Sequence, residues 1–453
     1  MLHSTRLANR LNQGKRERSL VKLSTISDIQ SLQWSNGIRY GTALLIGIIL
    51  VRGGLPLELV ALYEMLFFIS NLASYFWING GKKAILSIWE EEWLPSASSF
   101  FGRMTLYFTL AGIFTYLLLM LCKPLILHFT SFDDLPYFGW IALLTLFTIP
   151  GSLVDYYYLL TRRYACIVRY SIVTNALTLL CVMTPLWAGA ALELIIMGLA
   201  VLAFLKFAWL IYLVLNPGIR KSSKVHVPEG FVWISLPFIG HAALDGFMDY
   251  VDGFIVLRLF KDANDFAIFR YGARELPFSM LLVAGVVAAL IPRLRKSREE
   301  GLDVLKREHI RLSNWLYPVS IALMLSSPFL FTWVYGEAFS GSATVFNVYL
   351  LVLGSRILMP QALLYSHKKG MALFYILLIE IGLNIGLSIL LAQLIGLPGI
   401  ALATVIAYLA GKALMVGYTW RVLHIPFGAY TPVGRYVTLN ILLLLAFILS
   451  LSY

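Results

Sequence analysis

Two stretches of this 453-residue chain set ionisable side chains inside long apolar runs. Asp245, Asp249 and Asp252 recur at i, i+4 and i+7, which places three carboxylates on one face of a helix. Further on, Arg270 and Arg274 recur at i, i+4, with Glu275 beside them. A charge at membrane depth costs about 3 kcal/mol or more unless it faces protein or water. Three carboxylates on one face cannot all point into lipid: they line a water-filled cavity, where they bind a cation or proton or pair with arginines across it, or else Asp252 sits at the outer interface and Asp245 is a satisfied core group. An arginine pair in such a cavity suits the oxygens of a diphosphate headgroup, because the guanidinium fork matches phosphate geometry. The alternative is a structural ion pair, Arg270 or Arg274 with Asp249 or Asp252 on the neighbouring helix. Both readings stay open at this point.

Other polar groups lie in apolar runs. Arg39 and Arg52 bracket the first run, Arg39 as an interface anchor or a cavity residue. Arg356 lies deep in the tenth run, where reaching water is hard, so it is expected to face inward. Glu64 and Asn71 share a face at i, i+7. Asp155, Glu380 and Asn384 are lone polar groups expected to pack against another helix, and His241 is expected in the core. Lys206 and Lys412 are expected to snorkel toward the inner surface. No catalytic residue is assigned, since HExxH, Walker and GxSxG patterns are absent. Cys122, Cys166 and Cys181 have no metal-ligand spacing, and neither a metal site nor a cofactor is expected.

The elements that must carry these residues follow from composition. The chain is 59% hydrophobic and 13% charged, against about 45–50% and about 25% in soluble domains. An all-α polytopic membrane protein is expected. The net charge of +12 sits in short clusters between apolar runs, which excludes nucleic acid as a partner. Thirteen runs qualify as spanning helices: 35–52, 57–79, 104–127, 136–160, 164–187, 190–215, 231–257, 266–292, 311–335, 341–365, 370–395, 397–420 and 435–452. With the N-terminus inside, 27 of the 36 Lys and Arg fall on the inner side and four outside, which is the expected cytoplasmic bias. Residues 1–34 read as a basic cytoplasmic arm near anionic lipid, with no signal-peptide core. Residues 35–215 form a six-helix bundle, 216–230 a cytoplasmic linker, 231–420 a second six-helix bundle, and 421–453 a loop with an additional helix. The halves echo each other. Pro150 precedes YYYLLTRRYA, Pro360 precedes QALLYSHKKGMA, and Lys206 and Lys412 stand at similar distances from the inner ends of their helices. Internal repeats of this sort are common in secondary transporters.

One segment resembles a known family. Asp252-Gly253-Phe254, then Ala267-Ile268-Phe269-Arg270-Tyr271-Gly272-Ala273-Arg274-Glu275-Leu276-Pro277, ending at Ile291-Pro292-Arg293-Leu294, is similar to the Wzx-type polysaccharide flippase branch of the multidrug/oligosaccharidyl-lipid/polysaccharide (MOP) exporter superfamily. Glu380-Ile381-Gly382-Leu383-Asn384 with Gly396-Leu397-Pro398-Gly399-Ile400-Ala401-Leu402-Ala403-Thr404 is a second match. The small residues there permit close helix packing. The resemblance covers about residues 231–420 and rests on topology alone before them. It implies two six-helix bundles in a V around a central cavity, plus one C-terminal helix here. It implies alternating access that moves an undecaprenyl-diphosphate-linked oligosaccharide to the outer leaflet of the bacterial inner membrane. On that reading Arg270, Arg274, Arg356, Arg39 and Arg52 bind substrate, while Asp245, Asp249, Asp252 and Glu275 couple H+ or Na+ or form a gate. The partners are then the lipid-linked oligosaccharide and membrane lipids, and the protein is a monomer and no enzyme. The alternative is an ion-coupled drug or cation antiporter of the same superfamily. A membrane glycosyl polymerase or ligase would carry a large outer loop, which this chain lacks.

Overall fold

The computed structural model describes residues 28–452 except 91–93, 95–96, 131–133, 190, 217–229, 261, 274–282, 284–285, 288–289 and 292, and omits the side chains at 28–30, 245 and 249. Arg274 and Glu275, and the side chains of Asp245 and Asp249, thus lie outside the described residues.

Among the described residues the chain is helical, with no strand. Water is absent from the bilayer core, so helices that satisfy their own backbone groups are the available spanning form. In order the helices are α1 Asp28–Arg52, α2 Leu57–Ile88, α3 Ala97–Phe129, α4 Phe138–Gly151, α5 Leu153–Leu160, α6 Tyr164–Trp187, α7 Leu192–Leu215, α8 Phe231–Leu259 and α9 Ala263–Gly272. There follow α10 Arg298–Tyr335, α11 Ser340–Leu350, α12 Leu353–Arg356, α13 Pro360–Ser366, α14 Gly370–Ile395, α15 Leu397–Arg421, α16 Phe427–Tyr430 and α17 Val433–Ser450. Twelve stretches of the described residues are helical, long and apolar enough to cross a membrane. They correspond to twelve of the expected runs. The other run, 266–292, falls largely on residues outside the description.

Two boundaries differ from the sequence reading. α2 continues to Ile88 and carries Lys82 and Lys83, which were expected in an inner loop. α10 starts at Arg298, where the Ser297 hydroxyl accepts from the Glu300 amide as an N-cap. On α10, Trp315 and Trp333 are 73% and 74% exposed. At 1.5 Å per residue they stand about 27 Å apart, close to the roughly 30 Å hydrocarbon core, as an aromatic belt at each face requires.

By their contacts the described helices form two compact units. One draws on the chain up to Ile46, Trp77–Tyr116 and Ala142–Ile239; the other on Gly47–Phe76, Leu117–Ile141 and from Gly240 on. In the first unit, Phe100, Phe101, Met104, Tyr157 and Ile167 are core residues. In the second, α17 lies against α10 and α11, with Leu443 and Ala446 packed beside Phe346 and Leu350. The buried amide of Asn347 bridges three helices, accepting from Ser327 at 2.7 Å and donating to Ser450 at 3.0 Å.

Two prolines interrupt spans. Pro150 is the penultimate residue of α4, and a single residue, Ser152, separates Gly151 at its end from the start of α5. Pro360 opens α13, where its missing N–H has no helical partner to lose. Each interrupted span then ends in a basic turn of one geometry. Arg162 and Lys368 are left-handed at φ 59° and 57°. Behind them Arg163 N–H donates to Tyr158 C=O at 2.8 Å, and Lys369 N–H to Leu364 C=O at 2.9 Å. These are helix ends closed by a left-handed residue, and a side chain in that region carries a conformational cost.

Candidate functional site

The first unit gathers cations around one acid. Asp155 stands on α5, just past the Pro150 interruption, and Arg39 of α1 donates to its Oδ2. Asp155 Oδ1 is buried and has no hydrogen-bond partner among the described residues. Lys82 of α2 lies over the Tyr156 ring, 5.1 Å from its centroid. The charges facing Lys82 are Asp155 and Arg39. Lys206 of α7 faces the same two groups, with Cys181 alongside. Gly151 lies against Lys206, at ordinary van der Waals distance from its Cβ. Among the described residues, three cations and one carboxylate leave two positive charges uncompensated within spanning helices. Such a cluster must face water or an anion, since lipid supplies neither.

The second unit holds a different arrangement. Asp252 on α8 is 7% exposed. Its Oδ2 accepts from Tyr349 Oη of α11 and from Thr404 Oγ1 of α15, each at 2.6 Å. Bonds that short are typical of an ionised acceptor. Asn384 of α14 donates from Nδ2 to Thr404 Oγ1 at 2.9 Å. Buried oxygens without hydrogen-bond partners among the described residues remain on Asn384 (Oδ1) and Ser388 (Oγ). The donors are a carboxylate, an amide oxygen and hydroxyls, which suit a hard monovalent cation rather than a transition metal. Among the described residues no group of three His, Cys, Asp or Glu could hold a metal ion.

The structure also places the expected arginines. Arg270 on α9 approaches Glu64 of α2, Nε to Oε2 at 3.7 Å, and lies 5.6 Å from the Phe68 ring. Of the open pairings of Arg270 or Arg274 with Asp249 or Asp252, those with Arg274 or Asp249 lie outside the described residues; Asp252 accepts from hydroxyls, and Arg270 lies against Glu64. The reason is glycine. Gly246 and Gly253 on α8 would clash with Tyr75 and Phe68 if they carried a Cβ, so α2 lies directly on α8 and brings Glu64 to Arg270. Arg356, at the end of α12, stacks over the Tyr408 ring at 4.6 Å, and Lys412 donates to Gln361 Oε1 at 2.7 Å. Arg52 is exposed and donates to the Val334 carbonyl at 3.0 Å, an anchoring contact far along α1 from Arg39. His241, expected in the core, is exposed on α8. Lys82, Tyr349 and Thr404 were missed as site residues. Thr404 lies within the matched glycine-rich motif, which is the one signal that could have found it.

No family model matches the sequence, and no curated protein matches it. Solved structures do. The chain has the fold of MOP-superfamily transporters. It is similar to the lipid II flippase MurJ in an inward closed conformation, at 16% identity over 94% of this chain and 93% of that one, with a TM-score of 0.69. It is also similar to an inward-facing multidrug resistance MATE family transporter of the MOP superfamily, at 12% identity over 88% and 95%, TM-score 0.62. The MATE multidrug transporter DinF-BH in complex with R6G is a third match, at 16% over 87% and 94%, TM-score 0.56. At these identities the likeness is one of fold.

Proposed function

We propose that this chain is a flippase for a lipid-linked, diphosphate-bearing oligosaccharide, carrying it from the inner to the outer leaflet of a bacterial inner membrane for surface polysaccharide synthesis. The observation that carries the reading is the first unit's cluster of Arg39, Lys82 and Lys206 against Asp155, the single acid facing them among the described residues. A carrier of cations would place excess carboxylate in its spans, whereas this unit places excess cation there. Arg270, Arg274, Arg356 and Arg52 complete the proposed substrate-binding set. Alternating access moves the headgroup while the lipid tail stays in the bilayer. The chain works as a monomer with its N-terminus in the cytoplasm, and it is not an enzyme.

Coupling is assigned to Na+ or H+ at Asp252, with Asp245, Asp249 and Glu275 as further ion-coupling or gating groups. The Tyr349, Thr404 and Asn384 side chains would hold Asp252 in place as the ion exchanges. One reading competes. The same Asp252 cluster, and the fold shared with MATE transporters, fit an ion-coupled drug or cation antiporter. The two separate on cargo charge. Proteoliposomes that flip a fluorescent lipid-diphosphate sugar, and lose this with Arg39→Gln and Lys206→Gln, support the flippase. Retained flipping in both variants would sink it.

A further inference from the structure

The two basic turns are copies at a fixed spacing. Lys368 stands 206 residues after Arg162 (368 − 162), and the flanking hydrogen bonds match at the same interval: Arg163 to Tyr158, then Lys369 to Leu364. Carried into the spans, that interval maps Lys206 onto Lys412 and Asp155 onto Gln361. The polar contacts follow it. Lys206 faces Asp155 in the first unit, and Lys412 Nζ donates to Gln361 Oε1 at 2.7 Å in the second. The repeat is thus conserved in geometry and changed in charge, with a carboxylate in one copy and an amide in the other. The second lysine has no fixed anion at the equivalent position.

An acid does stand near it, in a different way. Glu380 on α14 is 7% exposed, and its carboxylate lies against Gly411 of α15, where any Cβ would collide with it. It forms no hydrogen bond or ion pair with the described residues. The charges that face it are Lys412 from α15 and Arg356 from α12. Arg356 is meanwhile stacked on Tyr408, and Lys412 is directed to Gln361. Two half-buried cations therefore sit beside a carboxylate close enough to compensate them electrostatically yet bonded to neither.

We propose that Arg356, Lys412 and Gln361 form an oxyanion site within the second unit, taking a phosphate or diphosphate ester, with Glu380 as its displaceable internal counter-charge. The guanidinium fork and the ammonium supply charge-assisted donors. The Gln361 amide, whose oxygen accepts from Lys412, keeps its N–H groups for the anion. Ionised Glu380 competes with the ligand, and neutral Glu380 yields both cations to it, so anion binding and proton uptake are linked. The identity of the anion rests on the flippase reading; the existence of the site does not.

The test is calorimetric titration of inorganic pyrophosphate into the purified full-length protein in detergent, at pH 6 and pH 8. Two binding events per chain are expected. Lys206→Gln removes one and Lys412→Gln the other, while Lys412→Arg keeps the second event and so guards against misfolding. Glu380→Gln tightens only the second event, about tenfold at pH 8, and flattens its pH dependence. In a parallel arm with farnesyl diphosphate, tighter binding than pyrophosphate at the second site assigns the anion to a lipid headgroup, and equal binding assigns it to a soluble phosphate; either supports the site. A single event that Lys206→Gln abolishes, with Lys412→Gln and Glu380→Gln silent, overturns this inference and leaves the first-unit reading standing. No event at all overturns both. Two events with Glu380→Gln without effect overturn the counter-charge role.

Discussion

Asp155→Asn separates what the first-unit cluster does for stability from what it does for binding. Among the described residues, Asp155 is the one acid facing Arg39, Lys82 and Lys206. Two unit charges in contact at about 4 Å interact by about 4 kcal/mol at an effective dielectric near 20. The Arg39 side chain is 44% exposed, so solvent screens much of that. Halving it leaves about 2 kcal/mol, or about thirtyfold in the folding equilibrium. Arg39→Gln should cost a similar amount, and the double variant clearly less than the sum, with a coupling of about 1–2 kcal/mol. Denaturant unfolding in detergent completes the cycle. Binding should move in opposite directions: Asp155→Asn removes a competitor and tightens pyrophosphate, while Arg39→Gln weakens it. Additivity within about 0.5 kcal/mol would refute the pairing. Weakened pyrophosphate binding in both variants would refute the anion site and leave a scaffold.

Further outcomes concern the second unit and the topology. Na+ should raise the unfolding midpoint of the parent protein but not of Asp252→Asn, and an equal response in both would remove the ion from that site. Tyr349→Phe deletes a charge-assisted hydrogen bond to Asp252 and should cost about 2 kcal/mol in chemical unfolding. Gly399→Ala drives a Cβ into the Leu391 carbonyl, which is backbone and cannot rotate away, so α14 and α15 should separate at a cost of about 3 kcal/mol, seen as loss of monodisperse protein. Single cysteines at Asp134 and Arg162 should react with an impermeant maleimide from opposite faces of the membrane; labelling from one face would refute the orientation.

Much of the fold was legible because apolar length is a one-dimensional signal. The end of α2 was misread because Gly80, Gly81, Lys82 and Lys83 look like a loop. In the fold Gly80 lies against the Ile239 backbone and Gly81 against Phe108, so those glycines mark close packing and the helix runs on. Site residues were legible as types and positions but not as partners. A helix apolar on every side carries no periodic signal of its rotation, and partner choice depends on rotation. Arg270 was therefore open between Asp249 and Asp252, and Glu64, some 200 residues earlier, proved to be its partner. The paired motifs around Arg162 and Lys368 were visible as weak likeness; only the shared left-handed turn fixes their register.

The central claim is that the cargo is an anionic lipid-linked sugar. Proteoliposomes containing the purified chain, loaded with either a fluorescent lipid-diphosphate oligosaccharide or a cationic dye, test it directly under an imposed Na+ or proton gradient. The expected result is gradient-dependent flipping of the diphosphate lipid, lost in Lys206→Gln, with no movement of the dye. Gradient-driven dye movement without lipid flipping would contradict it and assign the chain to cation antiport.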